Sequence, residues 1–122
     1  MALVELHGSN VSNDIENSRC IEDLRHWIVN HLDESHSLHS LSLRAGMSIS
    51  KLQRVFRETY GCSVFAYIRV ERLLRAQKQL EVTAMNIKTI SAEAGYSSVP
   101  AFTAAFALTF GETPARFRKG TK

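Results

Sequence analysis

From residue 19 onward, apolar residues recur every three or four positions, the spacing that gathers them on one face of an α-helix. Ile21, Leu24, Ile28 and Leu32, with Trp27 beside them, predict an amphipathic helix over 19–32 with Ser18 as its N-cap. Ser37 then starts a short helix in which Leu38, Leu41 and Ala45 share a face, and Gly46 ends it. Ser48 caps a second helix that buries Leu52, Val55, Phe56 and Tyr60 and turns Lys51, Gln53, Arg54 and Arg57 outward. Gly61 stops it, because a glycine just past the last turn takes the left-handed backbone that ends a helix. Two short helices joined by a tight glycine-containing turn form a helix-turn-helix.

Ser63 opens a longer helix reaching about Leu80, with Ala66, Tyr67, Val70, Leu73, Leu74 and Leu80 apolar and Arg69, Arg72, Arg75 and Lys78 charged. At about 1.5 Å per residue it is a rod of about 25 Å. Asn86 caps another short helix, with Ile87, Ile90 and Ala94 inside and Gly95 at its end. Ser97 or Ser98 caps the next, which buries Phe102, Ala105, Phe106 and Phe110 and stops at Gly111. Thr113 and Pro114, a cap followed by proline at the first helical position, open a last helix through Phe117.

The second half of the chain therefore repeats the first. At an offset of 49, Leu38, Leu41, Ser42, Ala45, Gly46 and Ser48 face Ile87, Ile90, Ser91, Ala94, Gly95 and Ser97. After one inserted residue the offset is 50, and Leu52, Phe56, Thr59, Tyr60, Gly61, Ser63 and Tyr67 face Phe102, Phe106, Thr109, Phe110, Gly111, Thr113 and Phe117. The pattern predicts an all-α fold of about seven helices, two helix-turn-helix subdomains joined by a long linker helix. Its divisions are a polar, flexible leader over 1–17, a first subdomain with the linker over 18–82, a second over 83–119 and a tail over 120–122.

Composition adds mainly exclusions. With 122 residues, 44% of them hydrophobic and 22% charged, the chain has room for one domain or two very small ones and none for a large enzyme. No apolar run approaches the roughly 18 to 20 residues of a spanning helix, and the first residues do not read as a signal peptide, so a cytoplasmic protein without a membrane partner is expected. Up to His36 there are seven acidic residues against two basic ones, whereas from Ser37 on there are thirteen basic against five acidic. Such a basic stretch suits a polyanion, because phosphate backbones are held mainly by Lys and Arg. Cys20 and Cys62 form no CxxC pair and read as small buried hydrophobes; His31, His36 and His39 lack the spacing of a metal helix and read as solvated. No nucleophile–base pair, carboxylate pair or phosphate loop is present, so neither catalysis nor a cofactor is expected.

Two stretches carry a more specific signal. The first is Ala45-Gly46-Met47-Ser48, Leu52-Gln53-Arg54-Val55-Phe56-Arg57, Tyr67-Ile68-Arg69 and Arg72-Leu73. The second is Ile90, Ala94-Gly95-Tyr96-Ser97-Ser98, Phe102, Phe106, Phe110-Gly111-Glu112-Thr113-Pro114 and Phe117-Arg118. Over about 19–119 the chain resembles the DNA-binding domain of the AraC/XylS family of bacterial transcription regulators. The resemblance implies seven helices, two helix-turn-helix units entering adjacent major grooves about 34 Å apart on one face of double-stranded DNA, and activation through RNA polymerase. It leaves open whether the chain is free-standing or the C-terminal part of a larger regulator. A chain with two units and no sensor domain is expected to act as a monomer and to hold no small-molecule effector.

In a helix-turn-helix the second helix meets base edges with its outer face. Arg54 is the leading candidate, since an arginine bonds guanine O6 and N7 together, and the resemblance places the family's base-contacting arginine there. Ser50 and Gln53 are further base contacts, while Lys51 and Arg57 go to phosphates. The second unit departs from the family pattern: Ala104 stands at the position of Arg54, and no cation lies between Lys88 and Arg116. What remains there is apolar contact of Val99 or Ala104 with thymine methyls and the hydroxyls of Thr103 and Ser98. Lys88, Thr89, Ser98, Arg116 and Arg118 are left for the DNA backbone. Recognition is therefore expected to be asymmetric, with the first half-site more strongly specified. The competing reading is a helical protein-interaction module that uses the apolar second helix as a contact surface, which salt dependence distinguishes.

Overall fold

The computed structural model describes residues 2–120, with side chains from residue 13 onward. Among them the chain forms seven helices and no strand: α1 (Ala2–Val29), α2 (Leu38–Ala45), α3 (Ile49–Tyr60), α4 (Val64–Val82), α5 (Ile87–Glu93), α6 (Val99–Phe110) and α7 (Pro114–Gly120). From α2 on, the order and the capped starts are those that periodicity and capping residues predict, while α4 runs on to Val82 and α7 to Gly120, past the expected ends at about Leu80 and Phe117. None of the helices is long and apolar enough to cross a membrane.

The N-terminus differs. Helical backbone runs unbroken from Ala2 to Val29, so residues 2–17 of the leader expected over 1–17 are part of α1 and Ser18 lies mid-helix instead of capping it. Extending a helix from a packed segment costs far less than nucleating one, and no proline interrupts residues 2–17. Among the described side chains, Ile21 is the first that is buried. At the other end α1 stops three residues early, and Leu32 reaches the core from a turn in which the His31 amide donates to the Ile28 carbonyl at 2.9 Å. Of the tail, Gly120 ends α7, and residues 121 and 122 lie outside the described residues.

The chain divides into two compact units, the first ending at Ile68 and the second starting at Arg69. The division falls inside α4, not after residue 82, because the two ends of that helix enter different cores. Ile21, Leu24 and Ile28 of α1, Leu41 and Ala45 of α2 and Leu52, Val55 and Phe56 of α3 pack with Val64 and Ile68 of α4. Leu73, Ala76 and Leu80 of α4 pack instead with Ile90, Ala94, Phe102 and Phe106, and Phe110 and Phe117 cover that cluster. Val70 and Leu74, though apolar, belong to neither set and are 44% and 42% exposed.

In the first unit an aromatic clamp ties α1 to α2. The Arg44 guanidinium sits 3.8 Å over the Trp27 ring, and His31 stacks on that ring at 4.1 Å. His31 and His36 are not simply solvated: their ring nitrogens bond the carbonyls of Trp27 and His31 at 2.7 and 2.8 Å. Both cysteines are free and half-buried rather than fully enclosed.

Candidate nucleic-acid interface

The two helix-turn-helix units match down to single hydrogen bonds. In each, a buried serine on the first helix donates one turn back, Ser42 to the His39 carbonyl and Ser91 to the Lys88 carbonyl, both at 2.8 Å. The carbonyl of the same serine accepts from the far side of the turn, from the Met47 amide at 3.0 Å in one unit and the Tyr96 amide at 3.1 Å in the other. Between them lie Gly46 and Gly95, at φ +69° and +91°, a left-handed backbone that other residues adopt only with strain. Ser48 accepts from the Lys51 amide at 3.1 Å to start α3, and Ser98 accepts from the Ala101 amide at 3.2 Å to start α6. Of the two candidate caps for α6, Ser98 is therefore the one used. Ser63 and Thr113 cap α4 and α7 in the same way.

This framework fixes the rotation of each second helix. Leu52 and Phe56 on α3, and Phe102 and Phe106 on α6, are completely buried, so the opposite face of each helix is turned to solvent. On α3 that face presents Ser50, Gln53, Arg54 and Arg57, all exposed, with Lys51 half-buried beside them. The structure thus brings together on one surface all five residues singled out on this helix. Arg54 Nη1 lies 3.3 Å from Oε1 of Glu58, one turn further on, and both side chains are more than half exposed. Such a pair is worth little in water and leaves the guanidinium available to a stronger partner. Glu58 itself carries no sequence signal beyond its i, i+4 spacing from Arg54.

On α6 the equivalent face carries Pro100, Ala101, Ala104 and Leu108, all exposed, with Thr103 and Ala107 half-exposed between them. Leu108 is 89% exposed. Val99 is half-buried at the shoulder of the first turn. Lys88 and Thr89 are exposed on the first turn of α5, and Arg116 is exposed on α7.

Arg118 is different from the other basic candidates. Its Nε donates to the Leu80 carbonyl at 3.1 Å and its Nη2 to the Thr83 carbonyl at 3.2 Å, with Gln79 at 3.5 Å. It closes the C-terminal end of α4, whose last carbonyls have no partner within the helix. The Ser98 oxygen is likewise engaged as a cap, which leaves only its hydroxyl proton for a phosphate. Tyr96 packs against Phe102 with ring centroids 5.7 Å apart. Its hydroxyl is buried with no hydrogen-bond partner among the described residues, and burial pushes the phenol above its ordinary range.

A helix-turn-helix domain family matches residues 41–120. Transcriptional regulator Rob of Salmonella typhimurium is 37% identical over 102 residues, covering 84% of this chain and 35% of that protein. The chain thus spans about a third of the length of this relative. Regulatory protein SoxS of Escherichia coli K12 is 33% identical over 104 residues, covering 85% of this chain and 97% of SoxS. Among solved structures, the DNA-binding domain of the global transcriptional factor AdpA in complex with a target DNA is similar. Its TM-score is 0.75 at 27% identity, covering 82% of this chain and 90% of that one. With the family matched from the middle of α2 to the end of α7 and SoxS 33% identical over 85% of this chain, the chain belongs to the AraC/XylS family of helix-turn-helix DNA-binding domains.

Proposed function

We propose that this chain is a sequence-specific, double-stranded DNA-binding transcription regulator, in which α3 supplies most of the base discrimination. The observation that carries the reading is the solvent face of α3. An arginine, a glutamine and a serine stand exposed on a helix whose other side is locked into the core, with Lys51 and Arg57 flanking them. Arg54 pairs with guanine, and Ser50 and Gln53 meet neighbouring base edges. Lys51, Arg57, Lys88 and Arg116 hold phosphates, with the hydroxyls of Thr89 and Ser98 as neutral helpers. Val99 and Thr103 are the base-facing candidates of the second unit. Arg118, held at the end of α4, contributes through stability. The likeness to Rob, SoxS and the DNA-bound AdpA domain supports the same reading.

As a regulator the chain works in the bacterial cytoplasm, as a monomer, and activates through contact with RNA polymerase. In vitro transcription from a promoter carrying the selected site tests that last step.

The apolar face of α6, with Leu108 almost wholly exposed, favours a second reading as a protein-interaction module. Selection from a random duplex library at physiological salt, repeated with Arg54→Ala, separates the two. The regulator reading requires a two-box motif that loses its strongest position in the variant and whose affinity falls steeply with salt. Recovery of no sequence at any salt leaves the interaction module.

A further inference from the structure

We infer that α6 recognises the C5-methyl groups of pyrimidines, so that the second half-site accepts thymine and 5-methylcytosine alike; this rests on the DNA-binding reading above. The argument starts from the matched positions of the two second helices. Where α3 turns Ser50, Lys51, Gln53, Arg54, Arg57 and Glu58 to solvent, α6 turns Pro100, Ala101, Thr103, Ala104, Ala107 and Leu108. From Val99 to Phe110 there is no charged side chain and no amide. Guanine is read by bidentate donors and adenine by a side-chain amide, and α6 has neither. The apolar group in the major groove is the methyl of thymine, and a cytosine methylated at C5 carries the same group at the same place.

The shape of the helix agrees. Ala101 and Ala104 are the shortest side chains that still present a methyl, so the backbone can approach the pyrimidine edge closely. The two hydroxyls nearby do not oppose this pairing. A threonine hydroxyl such as that of Thr103 donates to thymine O4 or accepts from the N4 amine of 5-methylcytosine with equal ease. No acidic residue stands on α6 itself, and Lys88 on α5 and Arg116 on α7 are exposed to hold the phosphates. Recognition through methyl groups is also insensitive to salt, unlike the contribution of the α3 cations.

The test uses the full chain and its selected duplex, with affinity read by fluorescence anisotropy. The box whose strongest position is lost in Arg54→Ala is assigned to α3, and the other to α6. Replacing thymine by deoxyuracil in the α6 box, which removes only the methyl, is expected to weaken binding about three- to fourfold per methyl. Replacing the same T·A pairs by C·G weakens binding further, and 5-methylcytosine in place of cytosine restores most of the loss. In Ala104→Arg the deoxyuracil penalty shrinks and a guanine preference emerges at that position. A deoxyuracil penalty in the α6 box no larger than in the α3 box, 5-methylcytosine no better than cytosine, or a second box specified by guanine in the unaltered chain each overturns the inference while leaving DNA binding intact. If no duplex is retained at all, the DNA-binding reading itself fails and this inference falls with it.

Discussion

α3 and α6 are the same helix from the inside and opposite helices from the outside. Both are capped by a serine, stopped by a glycine, and anchored by two completely buried side chains one turn apart, Leu52 with Phe56 and Phe102 with Phe106. Yet one presents three basic side chains and the other none. The interior requires only volume and apolarity at four-residue spacing, and the turn requires only a positive φ and a buried serine. Neither condition constrains the outward positions. The fold of each unit and the sequence it recognises are therefore set by different residues, and one can be altered without the other.

The largest effect expected from breaking this likeness comes from its shared part. Phe56→Ala and Phe106→Ala should each destabilise by about 3 to 5 kcal/mol, measured by urea denaturation, because each empties the centre of a core. Similar costs in both units confirm that the scaffolds are equivalent; a tolerant Phe106→Ala breaks the parallel. Next comes the part that differs. Arg54→Ala should cost about 1 to 3 kcal/mol of discrimination at one base pair with no change in unfolding free energy. Loss of affinity spread evenly over all sequences would instead assign Arg54 to a phosphate.

Arg118 and Arg57 provide a finer contrast between two arginines. Arg118→Met removes hydrogen bonds to the last carbonyls of α4 and should cost about 1 to 2 kcal/mol of stability, leaving the salt dependence of binding unchanged. Arg57→Met should leave stability alone and reduce the slope of log K against log salt by about 0.9. The smallest effect belongs to Tyr96→Phe. Its hydroxyl is buried with no partner among the described residues, so its removal should leave stability unchanged or raise it by up to about 1 kcal/mol, seen as a small rise in Tm. A clear destabilisation would show that the hydroxyl has a partner in solution.

How much of this was legible beforehand follows from how local each cause is. Capping serines, stopping glycines and three-or-four spacing act within one turn, and from Ser37 onward they mark every helix. The solvent face of α3 was legible for the same reason, since Arg54 lies opposite Phe56 whatever the helix packs on. Features that depend on distant residues were not. That Val64 and Ile68 serve one core while Leu73, Ala76 and Leu80 serve another is decided by helices far along the chain. Apolar character alone therefore does not separate Leu73 and Leu80, which are buried, from Val70 and Leu74, which are exposed. Arg118 looked like a surface cation because the carbonyls it caps are 35 to 39 residues away. The helical backbone of residues 2–17 was missed because a polar stretch that is poor at starting a helix can still continue one.

The division of α4 between two cores also orders events in time. Every contributor to the first core has been synthesised once Ile68 is in the chain, whereas Phe102, Phe106 and Phe117 of the second follow 34 to 49 residues later. At translation rates of about 5 to 20 residues per second, that lag is roughly two to ten seconds. Small helical units close in microseconds to milliseconds. The charged reading head on α3 can thus be in its final form before the ribosome has finished the uncharged one.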